Sequence, residues 1–225
     1  MTRKKVMVNV LNQGTTITGF ETSLFAWMQE KAKDYEFRIF FPSARPIANN
    51  RNQIVKDFLE GDWDYLFMVD DDNPPHINPF DLLDEDKPVI AGVYPGRSER
   101  GVHFHVYQFG ENFPEEVGFK QYPLEFRDGV KQVDAVGTGL MCIKRDVIER
   151  VVEEFGGPFN DMFKEDGTMI TNDDMSFCIK CKKLDIPVFV DFNHVGSHYK
   201  MVDLLWIANL VAYAAQTGKT SFPDA

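Results

Sequence analysis

Three consecutive carboxylates, Asp70, Asp71 and Asp72, follow the apolar run Tyr65–Val69 and precede Asn73-Pro74-Pro75. Adjacent acids repel one another and serve no packing purpose. A divalent cation shared with a polyphosphate turns that repulsion into attraction. An acidic turn or a helix cap ahead of the prolines is the plainer alternative. If the run is a strand, alternation sends Asp70 and Asp72 one way and Asp71 the other. Upstream, Arg51 and Asn52 stand at the start of a helical pattern, where a guanidinium and an amide can meet an anion or a base edge. Downstream, Gly137-Thr138-Gly139 precedes a strand-like run, the arrangement needed where backbone must approach a ligand closely. It is not a dinucleotide fingerprint, because Cys142 takes the third glycine's place and a strand follows. Asp173 and Asp174 open a helix whose N-terminus is expected to keep Asp174 ionised. The last group is His194-Val-Gly-Ser-His198-Tyr199-Lys200.

The elements that must carry these residues alternate. Strands are expected at Val6–Val10, Phe37–Phe41, Tyr65–Val69 and Val89–Val93, with helices at Gly19–Lys33, Asn49–Glu60 and, briefly, Pro79–Leu83. Strands separated by helices imply βαβ units and a parallel sheet covered on both faces, with ligands at the strands' carboxyl ends. Between Arg97 and Lys131 the pattern changes to an excursion of antiparallel strands and loops. Val133–Ile143 then reads as one strand, Asp146–Glu154 and Asp173–Leu184 as helices, and Val188–Asp191 as the last strand. Val202–Ala215 is a helix apolar on nearly every side, with few charges to float it on a membrane, so burial against the sheet or in a dimer is expected. The fold class is therefore α/β, one Rossmann-like domain with a mostly parallel central sheet flanked by helices and a small antiparallel excursion. Residues 1–96 form its nucleotide-binding half, 97–200 its acceptor half, and 201–225 a helix and tail.

Composition narrows the function. The formal charge is −11, and the acids crowd residues 57–225; the first 56 residues hold nine Lys/Arg against four Asp/Glu. The negative field argues against a long grip on nucleic acid or anionic lipid, which needs many phosphate contacts, but not against a local phosphate site. No leader or spanning segment is read, so a cytoplasmic protein without stable membrane insertion is expected. Three cysteines make no disulfide framework. The Cys178-Ile-Lys-Cys181 pair falls late in its helix rather than at the N-terminus, so its thiols are expected in the core rather than in redox chemistry. His103 and His105 share one strand face and could pair on a metal, with an exposed face as the plainer reading, and Gly196-Ser197 breaks the helix that a His194–His198 zinc pair requires. Tyr94-Pro-Gly-Arg97 lies where the sheet edge meets a donor sugar or acceptor, unless it is a simple turn.

In this order, the motifs resemble GT-A type glycosyltransferases, close to inverting family 2 and its phage-like and bacterial relatives, over residues 6 to 200. That resemblance implies a sugar moved from a nucleoside diphosphate sugar, UDP-sugar favoured, to an acceptor hydroxyl. It implies Mn²⁺ or Mg²⁺ on Asp70, Asp72 and His198. It implies a base at Asp174 or Asp173, where the family usually has Glu-Asp. The donor is expected to meet Arg51, Asn52, Asp70, Asp71, Tyr94, Arg97, Gly137, Thr138, Gly139 and Lys200. The acceptor stays open among a small molecule, a glycan, a protein or a modified DNA base, and a homodimer is possible. Two other readings compete. A nucleotidyltransferase would show a Gly-rich loop with Arg and Lys after the first strand, where this chain has Leu11-Asn-Gln-Gly-Thr-Thr-Ile-Thr18. A non-catalytic nucleotide-sugar binding module would have no use for Asp173-Asp174.

Overall fold

Apolar residues alternating along the first strands sort to two faces of a seven-stranded sheet, and each face has its own core. The computed structural model describes residues 2–11, 19–42, 47–98, 101–113, 116–123, 128–200 and 203–219, without the side chains of 97 and 98. Strand β1 (Lys4–Leu11) leads to α1 (Phe20–Lys31), β2 (Tyr35–Phe40), α2 (Ile47–Glu60) and β3 (Tyr65–Asp70). A 3₁₀ helix (Pro79–Glu85) and β4 (Val89–Val93) follow. On β3, Tyr65, Phe67 and Val69 pack with Phe20 and Leu24 of α1 and Phe80 of the 3₁₀ helix. Leu66 and Met68 pack on the other side with Ile54 and Phe58 of α2. A strand covered on both faces reads as an unbroken apolar run, as Tyr65–Val69 does.

The later part of the chain changes the sheet's character. The order is β2-β1-β3-β11-β4-β14-β9, where β9 is Val130–Val133, β11 Leu140–Lys144 and β14 Val188–Val195. β1 runs parallel to β2 and β3, and β14 to β4. β11 runs antiparallel to both β3 and β4, and β9 antiparallel to β14. Five strands thus run one way, as expected of a mostly parallel sheet, and β11 and β9 run against them. The cause is the segment expected as one strand from Val133 to Ile143. It breaks into the end of β9, a short β10 (Ala135–Val136) and β11, with Gly137-Thr138-Gly139 as the corner. That corner turns the chain so that β11 enters between β3 and β4 against their direction.

The excursion holds a hairpin of β5 (Pro95–Ser98) with β6 (Gly101–Phe104), and a small sheet in which β7 (Val106–Phe109) lies between β8 (Phe119–Gln121) and β10. Helix α3 (Arg145–Phe155) puts Val147, Ile148 and Val151 into the core beside α2. A two-strand hairpin, β12 (Met162–Phe163) with β13 (Met169–Thr171), was not foreseen; it delivers the chain to α4 (Asp173–Lys183). Every residue of α4 from Asp173 to Cys181 is buried. Cys178 and Cys181 point into that core and Cys142 lies on β11, all three buried. Burial pushes the Cys178 thiol up to about 12 and raises those of Cys142 and Cys181 as well. The C-terminal helix α5 (Leu204–Thr217) departs from expectation: it has no buried residue.

Candidate functional site

Alternation along β3 decides where the first acid goes. Leu66 and Met68 face α2 and α4, so Asp70, two residues on, faces them as well and meets Arg51 on α2. Arg51 places Nη2 3.7 Å from Asp70 Oδ2 and donates from Nη1 to Asp173 Oδ2 at 2.7 Å, the first residue of α4. The Arg51 and Asp173 side chains are 5% and 6% exposed. Burial would ease the proton off Arg51, but the charges of Asp70, Asp173 and Asp174 outweigh it and hold the guanidinium well above its ordinary range. Asp70 is raised as well, by burial, with Arg51 pulling back. Arg51, expected to grip the donor, is therefore committed first to joining the strand end to the helix start. Asn52 is committed too, donating to Phe159 O at 2.5 Å and accepting from Phe159 N at 3.0 Å. Its amide holds the turn after α3.

Asp174 sits beside this clamp, buried, its Oδ1 accepting from Met175 N at 2.8 Å. Burial pushes its carboxyl up to about 6; Arg51 resists, and Asp173 adds to the rise. The helix N-terminus expected to keep this acid fully ionised is outweighed by desolvation, and the result is a group poised to accept a proton near neutrality. Tyr94 lies within the same field. Its phenol is raised well above its ordinary range, first by burial and then by Asp174 and Asp70.

The glycine corner serves Tyr94. Gly139 N donates to Tyr94 Oη at 3.0 Å, and Gly139 O accepts from Asp70 N at 3.0 Å. A Cβ at Gly139 would collide with the Asn73 amide and the Tyr94 ring, and one at Gly137 with the Tyr94 hydroxyl. These glycines, expected to admit a ligand, admit protein side chains instead. Thr138 between them is fully buried. Around this strand end, Asp70 Oδ1, Arg51 Nε, Asn73 Oδ1 and Thr138 Oγ1 are buried without a hydrogen-bond partner among the described residues. Each such atom costs about 1–3 kcal/mol, which a polar ligand entering there would recover.

Asp72 faces the segment after β14. Between Val190 and Val195 that strand bulges away from β4, with Gly92 opposite, where a Cβ would press on His194 O. The bulge is closed by Asp191, which accepts from Asn193 N at 2.9 Å and bonds His194 Nδ1 at 2.7 Å. Past it the chain zips onto the acidic loop: Ser197 N donates to Pro74 O and Tyr199 N to Asp72 O, each at 2.9 Å. A bulge that re-aims a strand thus carries His198 and Lys200 to Asp72. Lys200 Nζ lies 2.5 Å from Asp72 Oδ2. Burial raises the Asp72 carboxyl, but bonds from His198 and Lys200 outweigh it and hold it below its ordinary range. Asp71 is buried and turned from this side, its backbone N–H donating to Leu11 O at 3.1 Å.

The donor set fits a divalent ion of one kind. His198 Nδ1 is 2.7 Å from Pro95 O, which only accepts, so Nδ1 carries a hydrogen and Nε2 is the atom turned toward Asp72. That Nε2 is 3.6 Å from Asp72 Oδ2; it donates to the carboxylate when the ring is protonated and can share a cation with it when the ring is neutral. Among the described residues, no three His, Cys, Asp or Glu side chains converge as a metal cage. Asp72 and His198 fit an ion that arrives with its phosphates, as Mg²⁺ does on one or two carboxylates. Asp70, expected as a third ligand, spends its Oδ2 on Arg51 and keeps only Oδ1 unpartnered.

His105 was read as part of an exposed strand face. It sits instead at the bend between β6 and β7, its ring 5.3 Å from Tyr94 and 5.0 Å from His103, and burial pushes it down to about 4. The Arg97 side chain and residues 12–18 lie outside the described residues. Asn73 was missed; only its position after the acids could have pointed to it.

No protein-family model matches the chain, and no curated protein matches it. Among solved structures, A197 from STIV is similar at a TM-score of 0.53 and 19% identity, over 88% of this chain and 86% of that one. A UDP-glucose pyrophosphorylase complexed with UDP-glucose gives 0.44 at 9% identity, over 96% and 100% of the two chains. The inositol-1-phosphate CTP transferase from T. maritima gives 0.39 at 10%, over 91% and 94%. The first likeness is one of fold; the other two are too distant to carry an argument.

Proposed function

We propose that this chain is a glycosyltransferase that moves a sugar from a nucleoside diphosphate sugar to an acceptor hydroxyl, with inversion and with Asp174 as base. One observation carries the reading. Arg51 draws Asp70, at the end of β3, and Asp173, at the start of α4, to one guanidinium. The acids of the Asp70–Asp72 loop and the acid pair of α4, a hundred residues apart in sequence, thereby share one site. Asp174, with its carboxyl near 6, accepts the acceptor's proton as the oxygen attacks. Lys200 and His198 stand at Asp72, where the diphosphate leaves. Mn²⁺ or Mg²⁺, held by Asp72 and His198, would supply charge neutralisation for that leaving group. Tyr94, seated on the Gly137–Gly139 corner, fixes the wall between the two acid groups.

The test is calorimetry and product analysis. UDP should bind more tightly with Mn²⁺ than with excess chelator, and Asp72→Asn should cost more of that difference than Asp71→Asn. Incubation with UDP-sugars should release UDP. Release of pyrophosphate on supplying a sugar phosphate and UTP would replace this reading with a nucleotidyltransferase. Equal UDP affinity with and without chelator would remove the metal from it.

A further inference from the structure

Helix α5 is apolar on nearly every side, yet none of its residues belongs to either core. Trp206, Leu210, Tyr213 and Ala214 form its half-buried stripe, while Leu204 and Leu205 stand 78% and 66% exposed. The stripe does not close on the body. Between α5 and the β5–β6 hairpin runs a groove of about 300 Å³, walled by Val102 on one side and by Trp206, Ile207 and Leu210 on the other. Its polar end is His198 and Lys200. Among the described residues no carboxylate lines it.

We infer that this groove binds an amphiphile with an apolar body and an anionic head. Apolar walls with one polar end are the usual form of a small-molecule site. The head is assigned by charge. Lys200 is half-exposed and has three donors, of which Asp72 takes one direction. A phosphate or carboxylate at the groove's end meets the remaining donors and no repelling acid among the lining residues. A second copy of the chain is a poorer occupant, because it would cover Leu204 and Leu205 without filling the charged end. This inference stands on the groove alone and not on the transferase reading, so its test uses neither nucleotide nor metal.

Trp206 in the wall is the reporter. Decyl phosphate, below its micelle concentration, should shift the tryptophan emission saturably. Decanol should bind about tenfold or more weakly, for want of the charge-assisted bonds, and inorganic phosphate should give no shift. Trp206→Phe should remove the optical signal while calorimetry still detects binding. Leu210→Asp should abolish binding. Lys200→Met should bring decyl phosphate and decanol to equal affinity with the fold intact. A bilayer source is told from a free amphiphile by sedimentation with phosphatidic acid vesicles: co-sedimentation competed away by decyl phosphate assigns the bilayer lipid, and its absence the free compound. Two results overturn the inference. One is equal affinity of the wild type for the phosphate and the alcohol. The other is no saturable binding, whether the chain is monomeric or a dimer by light scattering.

Discussion

Two groups of charges flank the end of β3, and they are built in opposite ways. On the α4 side, Arg51 and Asp173 are buried, Asp70 is 15% exposed, and the three come from a strand and two helices fixed by the core. On the β14 side, Asp72, His198 and Lys200 are reached by an irregular segment, and Lys200 is 47% exposed. The first group has given up its water in the folded chain, so its carboxylates are preset and bring a desolvation cost that Arg51 offsets. In the second only Lys200 keeps solvent, with Asp72 and His198 19% and 13% exposed, so Lys200 is the cation there that is free to be exchanged. A site that must hold a base steady while a charged leaving group enters and departs has use for both.

The comparison breaks most sharply at Arg51. Arg51→Met leaves Asp70 and Asp173 buried without their cation, and a pair broken this way costs about 3–5 kcal/mol. A midpoint drop of that size in urea, together with lost transfer, is the expected result; a stable, active variant would dissolve the contrast. Next is Asp174→Asn, which should lower turnover about 10²–10⁴-fold while donor affinity holds. In the wild type, kcat/KM should rise with pH through about 6 as this base loses its proton. The sign for stability is the reverse. The carboxyl ionises from 3.8 in the unfolded chain but near 6 when folded, so the native state holds the extra proton. Stability therefore falls as pH rises between those values. Asp174→Asn should flatten that slope; an unchanged slope in a melting series would move the elevated carboxyl elsewhere.

Gly139→Ala should cost about 1–3 kcal/mol, the usual overpacking penalty, because its Cβ meets both Asn73 and Tyr94. A thermal melt equal to wild type would mean the corner can yield, and that Tyr94 is not held by it. The smallest effect belongs to the exposed side. Lys200→Met should change stability by no more than about 1 kcal/mol, as half-exposed pairs do, while Mn²⁺ affinity, read by paramagnetic resonance, should rise as Asp72 is freed. Weaker Mn²⁺ binding would show that Lys200 orders Asp72 rather than competing for it.

Much of this was legible before the fold. Val89–Val93 is a strand with the boundaries its apolar run suggested, and Tyr65–Val69 lengthens only by Asp70. Both are double-covered strands, whose signal is local. The Val133–Ile143 run looked equally strong but spans three pieces, because strand propensity does not say which sheet receives each residue. The same limit applied at the site. Arg51, Asn52, Gly137 and Gly139 were picked out by type, but their partners are tertiary facts: a helix N-terminus, the turn at Phe159, and the Tyr94 ring. His105 gave no signal at all, since its place depends on a bend between two short strands.

The depth of Cys142, Cys178 and Cys181 has a practical consequence. Thiolates are the reacting species, and burial suppresses all three. The folded chain is therefore nearly silent to maleimides, so a Leu205→Cys variant should take a probe at one place on α5, and the distance from that probe to a spin-active ion near Asp72 becomes measurable. In the unlabelled chain the same silence works as a clock. Reagent uptake by the native thiols can proceed only as fast as the core opens, so its rate counts openings of α4 and β11 under conditions where nothing else reports them.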